Sequence, residues 1–244
     1  KSLEEVLETE HQLDPARVAH IAAQTASALA AAHAEGIVHR NISAKTVMLA
    51  PGTGGWDLVK IRDFGYARLL KDEDPDVTAV GAVVGSPETM APEYILEGRL
   101  DPRSDLYALG ILMWWMLIGH PPFAGRRELV MQMQTDALPA RPSELRRDVP
   151  RWMDDLIWTL LAKRPEARPG YAKDLVRILE DGVGHSLGPP ELMTGDRAPL
   201  GTSAAADSKT SKAGVAAMAG LALIGLSAVG VLVALIAVLY LSNQ

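Results

Sequence analysis

The side chains best suited to chemistry stand in two short stretches, HRNISAKT at 39–46 and DFG at 63–65. The first has nearly the shape of a phosphoryl-transfer catalytic loop, but Asn41 occupies the place where such a loop needs a carboxylate. The amide oxygen of Asn41 can accept a hydrogen bond, yet this side chain has no charge and takes up no proton at neutral pH. Asp63 does supply a carboxylate, a preferred ligand of divalent cations.

The elements that must position these stretches can be predicted from caps and turn signals. Ser2 and Glu5 form a capping-box pattern that opens a short helix, and Asp14-Pro15 opens a longer helix that Gly36 ends. The runs TVMLA and WDLVKI, separated by PGTGG, predict a β-hairpin between the two stretches. Residues 66–104 show no clear period and predict an ordered loop region.

Four more helices are predicted beyond this region. The stretch LYALGILMWWMLIG at 106–119 is uncharged and 14 residues long, too short for a comfortable membrane span, which favours a helix buried inside a domain. Amphipathic patterns near 126–136, 150–162 and 170–182 predict the other three helices. We therefore expect one globular unit over residues 1–183.

Composition excludes several classes of protein. The chain has 244 residues, 48% hydrophobic residues, a net charge of −6 and no cysteine. The hydrophobic content suffices for a packed core, and the mild acidity argues against nucleic acid as a partner. Without cysteine, disulfide scaffolds and Cys-based metal or redox sites are excluded.

Residues 213–241 form an uncharged run of 29 residues rich in Ala, Leu, Val and Gly. The run predicts a single transmembrane helix in the cell membrane; the alternative is a buried core helix, which rarely runs so long without a polar face. Lys209 and Lys212 flank its N-terminal end, so the positive-inside tendency predicts that the body of the protein is cytoplasmic. Residues 184–212, rich in Pro, Gly, Ser and Ala, predict a flexible linker.

One face of this run carries only small residues, at Ser227, Gly230, Ala234 and Ala237. Such a face could pair two membrane helices into a dimer, or it could reflect Ala- and Gly-rich composition alone.

Six motifs follow one another along residues 1–183. After HRN and DFG come GSP with MAPE at 85–93, SDLY with Gly110, GHPPF and RPEARP. In this order and spacing they resemble the C-terminal lobe of a Ser/Thr protein kinase of the bacterial membrane-anchored type. The resemblance covers about three quarters of the chain. It implies an α+β protein-kinase-like fold, present as a mainly α-helical C-lobe with a small β-hairpin and followed by the transmembrane helix.

The resemblance also implies roles for the loop. In this family an Asp accepts or orients the substrate hydroxyl proton, a Lys two residues on neutralises the phosphate, and an Asn five residues on holds a second magnesium ion. Asn41, Ser43 and Thr46 stand at those places, and Asp63 stands at the magnesium-binding Asp. ATP and Mg²⁺ are the implied cofactors, with Asp63 and Thr46 as the implied cofactor and metal ligands. Since three departures affect one reaction, we do not expect efficient phosphoryl transfer.

Four further residues have structural roles by the same resemblance. Glu93 and Arg168 match a buried ion pair that clamps the activation segment to the lobe. Asp105 matches the Asp that accepts backbone N–H groups of the catalytic loop, and His39 is expected to be a packed core residue.

No Gly-rich phosphate loop and no Val-Ala-Ile-Lys strand precede these elements in the sequence. The N-lobe of the family is thus absent from the chain as given, and we expect the chain to be a fragment of a longer protein.

Three functions stay open on this basis. The first is a membrane-anchored pseudokinase that signals through contacts with other proteins, either kinase substrates or regulated kinases. The second is a divergent active Ser/Thr kinase whose N-lobe lies outside this chain, supported by Asp63 and the MAPE stretch. The third is a small-molecule phosphotransferase, against which the activation segment counts because it serves protein-substrate docking.

Overall fold

The fold is mainly helical, and the computed structural model describes residues 1–64, 68–69, 85–99 and 101–186. All of them belong to one of the two units into which the chain divides, Lys1–Met193. The second unit, Thr194–Gln244, lies outside the described residues.

Helices and short strands are interspersed up to residue 69, and the described residues from 85 to 186 contain helices and no strand. The helices are α1 Leu3–Glu10, α2 Pro15–Ala34, α3 Pro92–Glu97, α4 Pro102–Ile118, α5 Arg127–Asp136, α6 Pro142–Leu145, α7 Arg151–Leu160 and α8 Ala172–Ser186. The strands are β1 Ile37–Val38, β2 Val47–Pro51, β3 Asp57–Ile61 and β4 Arg68–Leu69.

The first two helices begin where their caps predicted. The Ser2 hydroxyl accepts the N–H of Glu5 at 3.2 Å, and the Glu5 carboxylate accepts the N–H of Ser2 at 2.7 Å, so the capping box is complete. Asp14 accepts the N–H of Ala16 at 2.8 Å at the start of α2. Gly36 follows α2 with a φ of 74°, a left-handed conformation that favours glycine and ends the helix.

The predicted hairpin is confirmed, and it brings the two chemical stretches together. Strands β2 and β3 pair antiparallel from Val47↔Ile61 to Pro51↔Asp57. Just beyond the open end of the hairpin, the Arg62 N–H donates to the Thr46 carbonyl at 3.0 Å. The end of the 39–46 loop therefore lies beside the start of the DFG stretch. A second antiparallel pair, β1 with β4, was not predicted, because two-residue strands are too short to show a period.

Helix α4 forms the centre of the core. Every residue from Asp105 to Trp114 is buried, which explains why this stretch has no polar face. Helices α2 and α7 pack against it, and α8 packs against α2. The helix begins at Pro102, earlier than predicted, because Asp101 caps it by accepting the N–H of Arg103 at 2.9 Å.

The prediction of a loop throughout 66–104 was wrong at α3, and α6 was not predicted. Helices of six and four residues are shorter than two turns, so hydrophobic periodicity does not reveal them. Helix α8 ends at Ser186, three residues past the expected end of the unit at 183.

Across the described ranges, which stop at residue 186, no helix has both the length and the apolar character needed to cross a bilayer. The prediction of a linker over 184–212 was wrong at residues 184–186, which belong to α8. The rest of that predicted linker and the predicted transmembrane run 213–241 lie outside the described ranges.

Packing at Gly110 gives a test of the core. A Cβ added there would lie 2.7 Å from Leu160 Cβ and 3.2 Å from Leu161 Cδ2, so α4 and α7 would have to move apart. We expect Gly110→Ala to lower the free energy of unfolding by about 1–3 kcal/mol, measured by denaturant titration. Gly170→Ala is the matched control, because a Cβ there meets no atom within 4 Å. Equal stability of the two variants would contradict this packing.

Candidate active site

The carboxylate of Asp105 on α4 holds the 39–46 loop in place through hydrogen bonds to its backbone. Its two oxygens accept the backbone N–H groups of His39 and Arg40, both at 2.9 Å. The ring of His33 on α2 donates to the same carboxylate at 2.8 Å. Asp105 is 1% exposed, so these hydrogen bonds replace its lost hydration. The role implied for Asp105 is confirmed.

Arg40 has a left-handed backbone with a φ of 70°. This conformation is strained for a residue with a Cβ, and the hydrogen bond from its N–H to Asp105 holds it in place. Its guanidinium donates to the Tyr94 hydroxyl at 2.6 Å, which joins the loop to α3.

His39 is a buried structural residue, as the resemblance implied. Its Nε2–H donates to the Arg62 carbonyl at 3.1 Å, and Nδ1 accepts the N–H of Asn41 at 3.3 Å. The neutral ring satisfies both contacts, whereas a doubly protonated ring would lose the second. Burial lowers the pKa of His39 below its ordinary value, while the nearby Asp105 carboxylate acts in the opposite direction.

Asn41 contacts the GSP stretch at 85–87, which the resemblance implies is part of the end of the activation segment. Its Oδ1 accepts the backbone N–H of Ser86 at 3.3 Å. Gly85 lies so close that a Cβ on it would be 3.5 Å from the Arg40 carbonyl oxygen. At the place of the catalytic base, the amide thus makes a structural hydrogen bond to the protein's own backbone.

Ser43 and Thr46 face each other inside the loop. The Thr46 hydroxyl accepts the N–H of Ser43 at 2.9 Å and lies 2.9 Å from the Asn41 carbonyl, to which it donates. The Ser43 hydroxyl lies 3.3 Å from the Thr46 hydroxyl. Ser43 is 3% and Thr46 2% exposed, so both hydroxyls face protein rather than solvent. We call the bonded side chains of Ser43 and Thr46 the hydroxyl pair; their hydrogen bonds stabilise the conformation of the loop.

Asp63 lies at the surface beside this loop. Its side chain is 49% exposed, and its carboxylate lies 3.3 Å from the Nε of Arg62. The backbone φ of Asp63 is 68°, which is left-handed, so Asp63 is strained in the same way as Arg40. Phe64 packs its ring edge-on against His39, with the ring centroids 4.6 Å apart. Gly65 lies outside the described residues.

The implied magnesium ions fit these residues only in part. Asp63 offers one exposed carboxylate, and magnesium is commonly bound through one or two carboxylates together with substrate phosphates. Thr46 does not fit as a ligand, because its hydroxyl is buried and occupied within the loop. In the described part of the chain, no three or more His, Asp or Glu side chains lie close enough together to hold a metal ion. The donor set suits one cation contact at Asp63 and does not suit a two-ion arrangement.

Glu93 and Arg168 form the buried ion pair that the resemblance implied. The guanidinium binds both carboxylate oxygens at 2.8 Å. Its remaining N–H groups donate to three backbone carbonyls, those of Ala162, Lys163 and Arg103. All five donors of Arg168 are therefore satisfied, which offsets the cost of burying the charges.

A buried polar network next to this pair was not predicted. The Gln134 amide on α5 donates to the Pro87 carbonyl at 3.1 Å, and its oxygen accepts the Tyr107 hydroxyl at 2.6 Å. Lys163 Nζ donates to the Gln134 carbonyl at 2.7 Å, and burial lowers the pKa of Lys163 to about 8. The network fixes residues 87–88 to α4 and α5. A single Gln in an amphipathic pattern gives no sequence signal of such a role.

Breaking the Glu93–Arg168 pair on one side should be costly. We expect Arg168→Met to lower the free energy of unfolding by about 3–5 kcal/mol, because it leaves the Glu93 carboxylate buried without its partner. Arg164→Ala, which removes an 87% exposed side chain 4.0 Å from Glu166, should cost at most about 1 kcal/mol. The double variant Glu93→Leu/Arg168→Met should recover part of the loss in denaturant titrations. A small loss for Arg168→Met alone would contradict the argument.

The lowered pKa of His39 predicts a loss of stability in mild acid. Below its ordinary value of 6.5, the unfolded chain binds a proton that the folded chain resists, so unfolding is favoured as the pH falls. The stability that the neutral His39 ring contributes is fully present above pH 6.5 and decreases as the pH falls toward 5. We expect His39→Gln to be less stable than wild type at pH 7 but to lose less stability between pH 7 and pH 5. His120→Gln, at an exposed ring, is the control; the same pH dependence in all three proteins would refute the assignment.

Comparison with known proteins agrees with this geometry. The protein-family model for the protein kinase domain matches residues 1–178 of this chain. The chain is 35% identical over 180 residues to the serine/threonine-protein kinase pkn3 of Myxococcus xanthus, covering 71% of this chain and 32% of that protein. It is 32% identical over 198 residues to PknB of Mycolicibacterium smegmatis, covering 79% of this chain and 31% of that protein.

The chain therefore spans about a third of the length of these curated relatives. The order of motifs, the buried Glu93–Arg168 pair and the Asp105 contacts all accord with the match over residues 1–178. This chain belongs to the protein kinase family and is related to bacterial Ser/Thr kinases.

Proposed function

We propose that this kinase domain is catalytically impaired and acts as a pseudokinase through contacts with other proteins. The observation that carries the proposal is the hydroxyl pair. At the two places where the family has a phosphate-neutralising Lys and a metal-binding Asn, Ser43 and Thr46 are buried and bonded to each other and to the loop backbone. Neither side chain is directed outward to a nucleotide.

The contact of Asn41 supports the same proposal. A positioned general base contributes about 10²–10⁴-fold to a rate, and an amide cannot take the proton. In addition, the Asn41 oxygen already accepts a hydrogen bond from the Ser86 backbone. Phosphoryl transfer depends on charge neutralisation and positioning, and Asn41 and Ser43 carry neither the negative nor the positive charge that the family uses at those two places.

The contacts that maintain the fold are intact, which favours a role for the surface. Asp105 still binds the loop backbone, and Glu93 and Arg168 still form their buried pair. A rigid domain without efficient chemistry is suited to binding other proteins, either kinase substrates or kinases that it regulates in signalling. Nucleic acid is not a proposed partner, because the net charge of the chain is −6.

We extend the proposal to a membrane location, on the sequence alone. The uncharged run 213–241 serves as a single-pass membrane helix at the end of the C-lobe, with the kinase domain on the cytoplasmic side. The small-residue face of this run would support a dimer.

A divergent active Ser/Thr kinase is the second candidate. Asp63 is half exposed, so its carboxylate is able to contact a magnesium–nucleotide complex. In this case an N-lobe outside this chain would supply the remaining phosphate contacts.

Assays of the full-length protein separate the two candidates. We expect no MgATP-dependent autophosphorylation from the wild type, and none from Asn41→Asp alone, because Ser43 and Thr46 remain in place. Kinases of this family turn over at about 1–100 s⁻¹. Transfer at such rates, abolished by Asp63→Ala but retained by Asp148→Ala at an exposed carboxylate, would overturn the pseudokinase proposal.

A further inference from the structure

A cavity of about 410 Å³ lies between the C-terminal end of α2, the start of α4 and the start of α8. None of Asn41, Ser43, Thr46 and Asp63 lines it. Its walls are built mostly from small or apolar groups together with three larger polar side chains. The lining residues are Ala30, His33, Ala34, Pro102, Gly170, Tyr171, Ala172 and Lys173.

The size of the cavity follows from the small residues around it. A Cβ added to Gly170 would meet no atom within 4 Å, and Gly170 is exposed, so the cavity opens to solvent beside that backbone. Ala30 and Ala34, one helical turn apart on α2, contribute only small side chains to the opposite wall. The volume falls in the range of about 300–1,000 Å³ in which small-molecule sites are found.

The polar groups of the cavity favour an anion. Lys173 Nζ lies 5.0 Å from the centre of the Tyr171 ring, and Tyr171 is 66% exposed. No acidic residue is among the eight that line the cavity. Two carboxylates lie next to lining residues: Asp105, which accepts the ring N–H of His33 at 2.8 Å, and Asp101, which is ion-paired with Arg103 at 2.8 Å. These contacts reduce the repulsion of an anion by both carboxylates. A flat hydrocarbon body would suit the apolar walls and the Tyr171 ring.

We propose that this cavity binds a small planar aromatic carboxylate, with its ring against the apolar walls and Tyr171 and its charge near Lys173. This inference does not rest on the proposed loss of catalysis, since the cavity contains no residue of the kinase chemistry.

One wall of the cavity is connected to the 39–46 loop. His33 lines the cavity, and its Nε2 donates to the Asp105 carboxylate at 2.8 Å. The same carboxylate accepts the N–H groups of His39 and Arg40. A ligand that restrains His33 therefore stabilises the contacts that hold the loop, which couples the cavity to the candidate active site.

Binding is tested by calorimetric titration of the full-length protein with naphthalene-2-carboxylate. We expect a Kd between roughly 10 µM and 1 mM, the range that the ligand's size allows. Gly170→Trp should weaken binding more than tenfold by filling the cavity, and the smaller Gly170→Leu should also weaken it. Gln132→Trp, at an exposed site on α5 and outside the lining, should bind as wild type does. Near-ultraviolet circular dichroism checks that each variant folds.

The neutral analogue naphthalene-2-carboxamide tests the charge preference. It should bind more weakly than the carboxylate, and Lys173→Ala should reduce that difference. Hydrogen exchange tests the coupling: saturating carboxylate should slow exchange of the His39 and Arg40 amides at least threefold, with no change in α7. Unchanged affinity in both Gly170 variants would overturn the site. Equal binding of the two analogues would overturn the anion preference, and unaltered exchange at the two amides would overturn the coupling.

Discussion

The buried carboxylate of Asp105 is the constraint on which the rest of the site depends. A charged group in an apolar core costs several kcal/mol unless its oxygens are fully hydrogen-bonded. Here α2 supplies a ring N–H from His33, and the loop supplies the N–H groups of His39 and Arg40. Helices α2 and α4 and the loop must therefore keep one mutual arrangement. The strained backbone of Arg40 persists because this arrangement leaves it no alternative.

None of these contacts uses the side chains that would transfer a phosphoryl group. The Asp105 bonds reach backbone N–H groups, whereas Asn41, Ser43 and Thr46 differ from the family in their side chains alone. The loop can thus keep its shape while its chemistry changes. The Glu93–Arg168 pair likewise holds α3 in place through contacts that take no part in phosphoryl transfer. Every donor of the guanidinium is satisfied within the protein.

Much of this fold could be predicted from the sequence, because caps and turns are local signals. Ser2, Asp14 and Gly36 marked the ends of helices, and the motif series identified Asp105 and the Glu93–Arg168 pair. Helices α3 and α6 and strands β1 and β4 are too short to show a period. The Gln134 network depends on contacts between distant segments, which a single sequence does not display. The hydroxyl pair joins two residues only three positions apart, but Ser and Thr at this spacing give no sequence signal of such a contact.

The hydroxyl pair also bears on how this loop could change over evolutionary time. A lysine at residue 43 would have to place an ammonium where the present side chain is 3% exposed, so it must first displace the partner hydroxyl of Thr46. Replacing Thr46 by a residue without a side-chain acceptor would leave the buried N–H of Ser43 unpaired. Residues 43 and 46 are therefore coupled, and a charged side chain at residue 43 needs a compensating change at residue 46.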